Sequence, residues 1–208
     1  MTRIVGGSAR GRRLVVPDAG TRPTSDRARE AVFSSIESIR GPWHGAVVLD
    51  LYAGSGACGL EALSRGATRV DLVELDKTAV AAITTNRDLV GGDSVSAAHV
   101  HRASVNRWLN APPPEVRYDV VFCDPPYATT PREVNEALES LAKGDAVDTR
   151  SLVVLERSAR DSQWQWREPF HGVWQRRYGE AHLWIAEVDR SVPSDPEPPA
   201  SHGAHGAQ

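Results

Sequence analysis

The sequence predicts an α/β protein with a mostly parallel sheet covered by helices on both faces, and three observations predict it. Residues 47–67, VVLDLYAGSGACGLEALSRGA, pass from a continuous apolar run through a glycine turn into a segment with Leu60 and Leu63 on one helical face. Two later apolar runs, Val70–Glu74 and Tyr118–Asp124, each end on a carboxylate, where a buried parallel strand delivers side chains to the ligand-binding edge of its sheet. These runs alternate with stretches of helical period, the pattern of βαβ units. The chain has 208 residues, 40% of them hydrophobic and 25% charged, which suits one domain with a real core.

Residues 3–16, RIVGGSARGRRLVV, read as two short strands around a Gly/Arg loop, a hairpin outside the main sheet. Arg10, Arg12 and Arg13 there offer bidentate forks for anionic oxygens. Thr24 or Ser25 then caps a helix with Asp26 in its first turn and an apolar stripe of Ala28, Val32, Phe33 and Ile36. Arg22 and Arg29 face either a nucleic acid or a cofactor carboxylate, and the sequence leaves both open. After the Gly41-Pro42 break come strand one (47–51) and a helix stopping near Gly66. Strand two (70–74), a helix over 78–89, strand three (about 97–102) and a strand running into Asp124 follow. An amphipathic helix over 131–141 carries Val134, Leu138 and Leu141, and residues 151–156 form a fifth buried strand. Residues 173–178 and 181–188 close the chain as an antiparallel pair around Gly179-Glu180. Trp164, Trp166 and Trp174, mixed with Arg167, Arg176 and Arg177, read as core or rim in preference to a base-stacking surface. Residues 191–208 lack apolar periodicity and are expected to be a disordered tail. The organisation expected is a basic hairpin-and-helix extension over 1–40, the main domain over 41–190, and the tail.

No apolar run nears the length of a membrane span, roughly 18 residues, and the polar start is not a signal peptide. Cys58 and Cys123 stand far apart without a CxxC, and the seven histidines lack metal-ligand spacing. A reducing, cytoplasmic setting without a metal is the expectation. Net charge is −3. Residues 1–29, however, hold seven arginines against Asp18 and Asp26, so a basic arm precedes an acidic remainder. Such an arm suits local contact with a polyanion.

Gly54-Ser55-Gly56-Ala57-Cys58-Gly59 fits the G-x-G-x-x-G dinucleotide pattern with Glu74 downstream, so an NAD enzyme must be weighed. Asp50 argues against it, because a carboxylate at the strand end repels a pyrophosphate. The same group suits S-adenosylmethionine (AdoMet), which bears a sulfonium and an ammonium but no phosphate. D-L-Y-A-G-S-G, holding Asp50, Tyr52, Gly54, Ser55 and Gly56, resembles the first motif of AdoMet-dependent methyltransferases. Glu74 is then the acid for the ribose hydroxyls, with Asp76 its understudy, and Ala103-Ser104-Val105 is the loop against the adenine. Asp124-Pro125-Pro126-Tyr127 discriminates further: two prolines fix the backbone and remove two N–H donors, leaving carbonyls to accept. A strand-ending D-P-P-Y downstream of a glycine turn marks methylation at a planar exocyclic nitrogen. Asp124 and the Pro125 carbonyl would accept the two N–H hydrogens, and Tyr127 would stack on the base. The displacement then needs placement and charge stabilisation, without a metal or covalent intermediate. An extruded base is required.

Together R-I-V-G-G-x-x-R-G-R-x-L, T-R-P-T-S-D-R-A-R-E-A-V-F, L-D-L-Y-A-G-S-G-A-x-G-L-E-A-L-S-R-G-A, V-E-L-D and D-P-P-Y resemble the bacterial 16S rRNA guanine-N2 methyltransferase family, RsmD-like, over residues 3–188. The resemblance implies a Rossmann-like class I methyltransferase with a seven-stranded sheet and an N-terminal hairpin extension. It implies AdoMet as methyl donor, S-adenosylhomocysteine as product, and a guanine N2 in 16S rRNA of the 30S subunit or an assembly intermediate as acceptor. It assigns Asp50, Gly54, Gly56, Glu74 and the 104–105 loop to AdoMet, and Asp124 to Tyr127 to the guanine. The arginines Arg10, Arg12, Arg13 and Arg22 are expected to meet RNA, and the protein to act as a monomer. One departure is Ser104-Val105, where the family usually has an acid before Ala, so the adenine contact should be weaker. The rivals are a DNA or protein N-methyltransferase and a non-catalytic rRNA-binding assembly factor.

Overall fold

The computed structural model describes residues 2–17, 25–111 and 115–189. Arg22, Thr24 and the 191–208 tail lie outside the described residues. In chain order the elements are α1 (Asp26–Arg40), β1 (Val47–Leu51), α2 (Ala57–Ser64), β2 (Arg69–Glu74) and α3 (Lys77–Gly91). A 3-10 turn (Gly92–Ala97) leads to β3 (Ala98–Arg102) and α4 (Val105–Leu109). Then come β4 (Val120–Cys123), α5 (Pro131–Lys143), β5 (Leu152–Ser158), β6 (Phe170–Tyr178) and β7 (Ala181–Val188). The seven strands form one sheet in the order β3-β2-β1-β4-β5-β7-β6. All neighbours pair in parallel except those involving β7, which runs antiparallel to both β5 and β6.

The period of two along each strand divides the core into two layers. Val48, Val70, Leu72, Phe122 and Val154 face α1, α2 and α3, while Leu49, Leu51, Val73, Val121 and Leu155 face α4 and α5. Helix α1 begins where Ser25 accepts from Ala28 N, and its Phe33 ring stacks 5.3 Å from Phe122 of β4. Helix α5 opens with a full capping box between Thr130 and Glu133 and a proline in the first turn. Trp164 is buried, and Trp166 and Trp174 pack against the core as rim residues.

The N-terminal arm differs from the two-stranded hairpin expected from its sequence. Only one antiparallel bridge, Arg3 to Arg13, joins its limbs among the described residues, with backbone bonds from Ile4 N to Arg12 O and from Leu14 N to Thr2 O. The reason lies in where its polar groups go. Val5 N and Gly6 N donate to the two oxygens of Glu61 at 2.7 and 2.8 Å, Ser8 N to Ser64 O at 2.8 Å, and Ala9 N to Ser64 Oγ at 2.9 Å. Backbone that would ladder with its own partner strand is spent on α2 instead. Ile4, Ala9 and Leu14 are buried in the α1–α3 layer, so the arm is part of the main core and not a free extension.

Candidate active site

Strand order reverses at β1, which has β2 on one side and β4 on the other. A ligand in such a sheet lies beyond the carboxyl ends of the strands at this point. Leu51 is registered with Cys123 and Phe122 with Val154, so Asp50, Asp124 and Glu156 continue one face across three adjacent strand ends. The three carboxylates line one cleft, floored by Phe33, Phe122 and Leu183 and flanked by Arg29 and Cys58. The strand that leads into the glycine bend and the strand that leads into the double-proline corner are thus neighbours in the sheet.

Asp50 is buried, and its Oδ2 accepts from Gly59 N at 2.8 Å. Burial raises its pKa to about 7, with the Gly59 bond opposing and the Glu74 charge adding. Among the described residues no cation pairs with Asp50. A buried acid with one hydrogen bond and no counter-ion is complementary to a cationic ligand. A Cβ on Gly59 would meet Val70 Cγ1 at 2.8 Å and Asp50 Oδ2 at 3.2 Å, so glycine is what lets α2 approach the strand.

Around the turn, Tyr52 takes a positive φ of 59° and Gly56 one of 77° at the start of α2. Glu74, at the tip of β2, accepts from Gly54 N at 2.9 Å with one oxygen and from Leu75 N and Asp76 N with the other. It thus clamps the glycine turn to the second strand. Ser55 O accepts from the buried Asn86 Nδ2 at 2.9 Å, which also bonds Val15 of the arm.

Asp124 is exposed at the mouth of the cleft, and the surrounding protein, then Glu156 and Asp50, push its pKa above the usual carboxylate range. Pro125 is buried, Pro126 exposed, and Tyr127 is 64% exposed. Thr129 N donates to Pro126 O at 2.8 Å, so Pro126 and not Pro125 carries the internal bond of the turn.

Other predicted residues sit differently. Asp76 is the N-cap of α3, accepting from Ala79 N at 2.8 Å, which occupies one of its oxygens. Ser104 caps α4 by accepting from Arg107 N, and Val105 is buried in the α4–α5 layer, so its side chain packs inward. Arg10 and Arg13 are exposed, but Arg12 Nη1 donates to Leu89 O at 2.7 Å and staples the arm to α3. Arg29, for which the sequence allows two roles, is 2% exposed, bonded to Arg3 O and to Asp26 Oδ1, and 3.8 Å from Glu61. It belongs to the buried joint between arm, α1 and α2. Sequence reasoning missed Glu61, Ser64, Asn86 and Glu156. For Glu156 the signal existed: like Glu74, it closes an apolar run in the sequence. Among the described residues no group of three or more His, Cys, Asp or Glu could hold a metal ion, and no helix is long and apolar enough to cross a membrane.

A glycine turn after β1, a clamping acid after β2 and a D-P-P-Y corner after β4, gathered at the switch point, define a class I AdoMet-dependent methyltransferase. Residues 2–187 match the family model described as conserved hypothetical protein 95. The ribosomal RNA small subunit methyltransferase D of Haemophilus influenzae is 35% identical over 155 residues, 74% of this chain and 77% of that protein. The enzyme of the same name from Escherichia coli is 37% identical over 60% of each chain. Among solved structures, the yhhF protein of Escherichia coli superposes with a TM-score of 0.76 at 28% identity, covering 90% of this chain and 97% of that one. A hypothetical protein of Thermus thermophilus gives 0.73 at 33% identity, covering 90% and 100%. The chain belongs to the RsmD-like family of 16S rRNA methyltransferases.

Proposed function

We propose that this protein transfers a methyl group from AdoMet to the exocyclic N2 of one guanine in 16S rRNA of the small ribosomal subunit, leaving S-adenosylhomocysteine. The observation that carries the reading is the shared cleft of Asp50 and Asp124 at adjacent strand ends. AdoMet, when bound, supplies an electrophilic methyl on a positively charged sulfur. Asp50 provides the buried negative charge that attracts a cation, Glu74 and the Gly54–Gly56 turn form a rigid wall, and Tyr52 closes its edge.

The chain's own residues then act on the acceptor. An exocyclic amine is a poor nucleophile because its lone pair is delocalised into the ring. Asp124 and the Pro125 carbonyl accept its two N–H hydrogens, which turns the lone pair out of the plane. Tyr127 stacks on the base and fixes its orientation. With AdoMet bound, methyl transfer would place positive charge on the amine nitrogen, which Asp124 would stabilise, and Asp124 would take the proton the nitrogen then releases. Its raised pKa favours proton uptake over that of an ordinary carboxylate.

Transfer of labelled methyl to 30S subunits, naked 16S rRNA and DNA, with nucleoside analysis of the product, tests the reading. Label is expected as N2-methylguanosine in 16S rRNA, with Asp124→Ala reducing the rate by about 10²–10³-fold. Label on DNA alone overturns the substrate; undiminished transfer by the variant overturns the role of Asp124.

A further inference from the structure

Register places the β6–β7 turn at the business end of the sheet. Ser158, the last residue of β5, pairs with Ala181, and Tyr178 pairs with Ala181 from the other side. Gly179-Glu180 therefore projects beyond the same edge as Asp50, Asp124 and Glu156. Between this turn, the first turn of α1 and Tyr127 lies a cleft of about 670 Å³, bordered by Arg27, Arg176 and Arg177. All three arginines are exposed. Glu156 lines both this cleft and the acidic cleft of Asp124, so the two adjoin at its side chain.

The chemistry changes sharply across that shared residue. The inner side is lined by three carboxylates and the buried Arg29; the outer side is lined by three guanidinium groups together with Glu156 and Glu180, the latter accepting from Arg160 at 3.1 Å. Tyr178, which also lines the outer cleft, keeps a buried hydroxyl with no hydrogen-bond partner among the described residues. Pairing with the buried Leu183 puts Arg176 on the α1 face of the sheet, whereas Arg177 pairs with His182 on the opposite face. The edge strand thus offers a fork on each side of its tip. Guanidinium forks at an edge, beside a polar hydroxyl and an exposed aromatic ring, match a nucleic-acid backbone.

We propose that this cleft grips the RNA strand flanking the extruded guanine, with Arg27 and Arg176 on phosphates within it, Arg177 on a phosphate where the strand passes the other face of the hairpin tip, and Tyr178 donating to a phosphate or ribose oxygen. The site rests on the methyltransferase reading above and deepens it. The RNA is held from the β6–β7 side as well as by the exposed arm arginines Arg10 and Arg13, and the base is inserted between the two grips.

The test compares wild-type protein with Arg176→Ala/Arg177→Ala and Arg176→Lys/Arg177→Lys double variants, measuring binding to 16S rRNA and to 30S subunits across salt concentrations, KM for methyl transfer, AdoMet affinity and melting temperature. Removing two phosphate contacts should lower the slope of log affinity against log salt by about two. KM should rise about tenfold or more, the lysine pair should keep the salt slope, and AdoMet affinity should not move. An unchanged slope and KM in the alanine pair, with wild-type transfer intact, overturns the cleft assignment and leaves the methyltransferase reading standing. Weaker use of 30S subunits with unchanged binding to naked 16S rRNA also overturns it, in favour of a ribosomal protein as the partner. Absence of transfer by the wild type to either substrate overturns the methyltransferase reading and this grip with it.

Discussion

Asp50 links the electrostatics of the cleft to a measurable pH dependence. Its pKa is raised to about 7, chiefly by burial, so near neutrality the apo protein is a mixture of protonated and ionised forms. A cationic ligand prefers the ionised form. The sign follows: affinity for AdoMet rises with pH and levels off above the raised value. For a group of pKa about 7, the ionised fraction is about one in eleven at pH 6 and about ten in eleven at pH 8, a gain of about tenfold or ~1.4 kcal/mol in affinity. Isothermal titration of AdoMet into the protein between pH 5.5 and 8.5 reads it directly, with Asp50→Asn as the control. Asp124 lies in the same cleft and is also raised, so the asparagine control assigns the slope: it should flatten the curve and hold the affinity near the low-pH value. A flat wild-type curve, or a slope that survives in Asp50→Asn, refutes the assignment of Asp50 to the cationic end of the ligand.

Three further outcomes follow from the geometry. Tyr127→Ala should raise KM for rRNA by the worth of one stacked base, about 1–3 kcal/mol, while Tyr127→Phe keeps it; equal losses in both variants would point to the hydroxyl instead. Glu61→Ala strips the acceptor from Val5 N, Gly6 N and Arg65 Nε in a fully buried setting. It should cost about 3–5 kcal/mol and lower the melting temperature by roughly 6–20 °C, and calorimetry showing under about 1 kcal/mol would mean the arm is held by its apolar residues alone. Asp71 is fully buried; burial alone would raise its pKa, but bonds from His101 and Arg69, the Arg69 charge and the Tyr118 hydroxyl bring it down to about 2. A depressed acid stabilises the fold above its unfolded value and loses that contribution as pH falls, so wild-type protein should lose roughly 2–3 kcal/mol between about pH 4 and pH 2. Urea melts over that range should show a smaller acid loss in Asp71→Asn.

The strands and most helix starts were legible because each is fixed locally. Ser25, Thr130 and the glycine after β1 announce element boundaries in the residues themselves, and a strand-ending acid announces which edge carries the site. The resemblance then named the chemistry of D-P-P-Y. What was not legible depends on which element meets which. Nothing in RIVGGSARGRR says that its amides will bond Glu61 and Ser64 in preference to one another. Arg12, one of three similar arginines in sequence, differs from Arg10 and Arg13 only because Leu89 O happens to end α3 beside it. Asp76 and Ser104 each have two physically sound roles, cap or ligand contact, and local sequence cannot separate them. The outer cleft needs the antiparallel register of β7, which brings residues 27, 127 and 178 to one place.

The position of the arm gives α2 a second duty beyond starting at the glycine turn. The Gly54–Gly56 turn lies at the carboxyl end of β1, whereas Glu61, Ser64 and Arg65 in the same motif face the arm. Gly7, at φ +75°, shows how close the fit is: a Cβ there would lie 1.9 Å from Ser64 O, which no side chain can accommodate without moving backbone. Arg65 leaves similarly little room at Gly6, and its guanidinium lies 5.0 Å from the Phe33 ring of α1. The two glycines of R-I-V-G-G and the E-A-L-S-R of α2 are therefore two halves of one joint, although their bonded residues stand 55 to 58 positions apart in sequence. Asn86 extends the joint by bonding Val15 of the arm and Ser55 O of the turn at once. This is why the arm reads as part of the catalytic domain's core and not as an appendage to it.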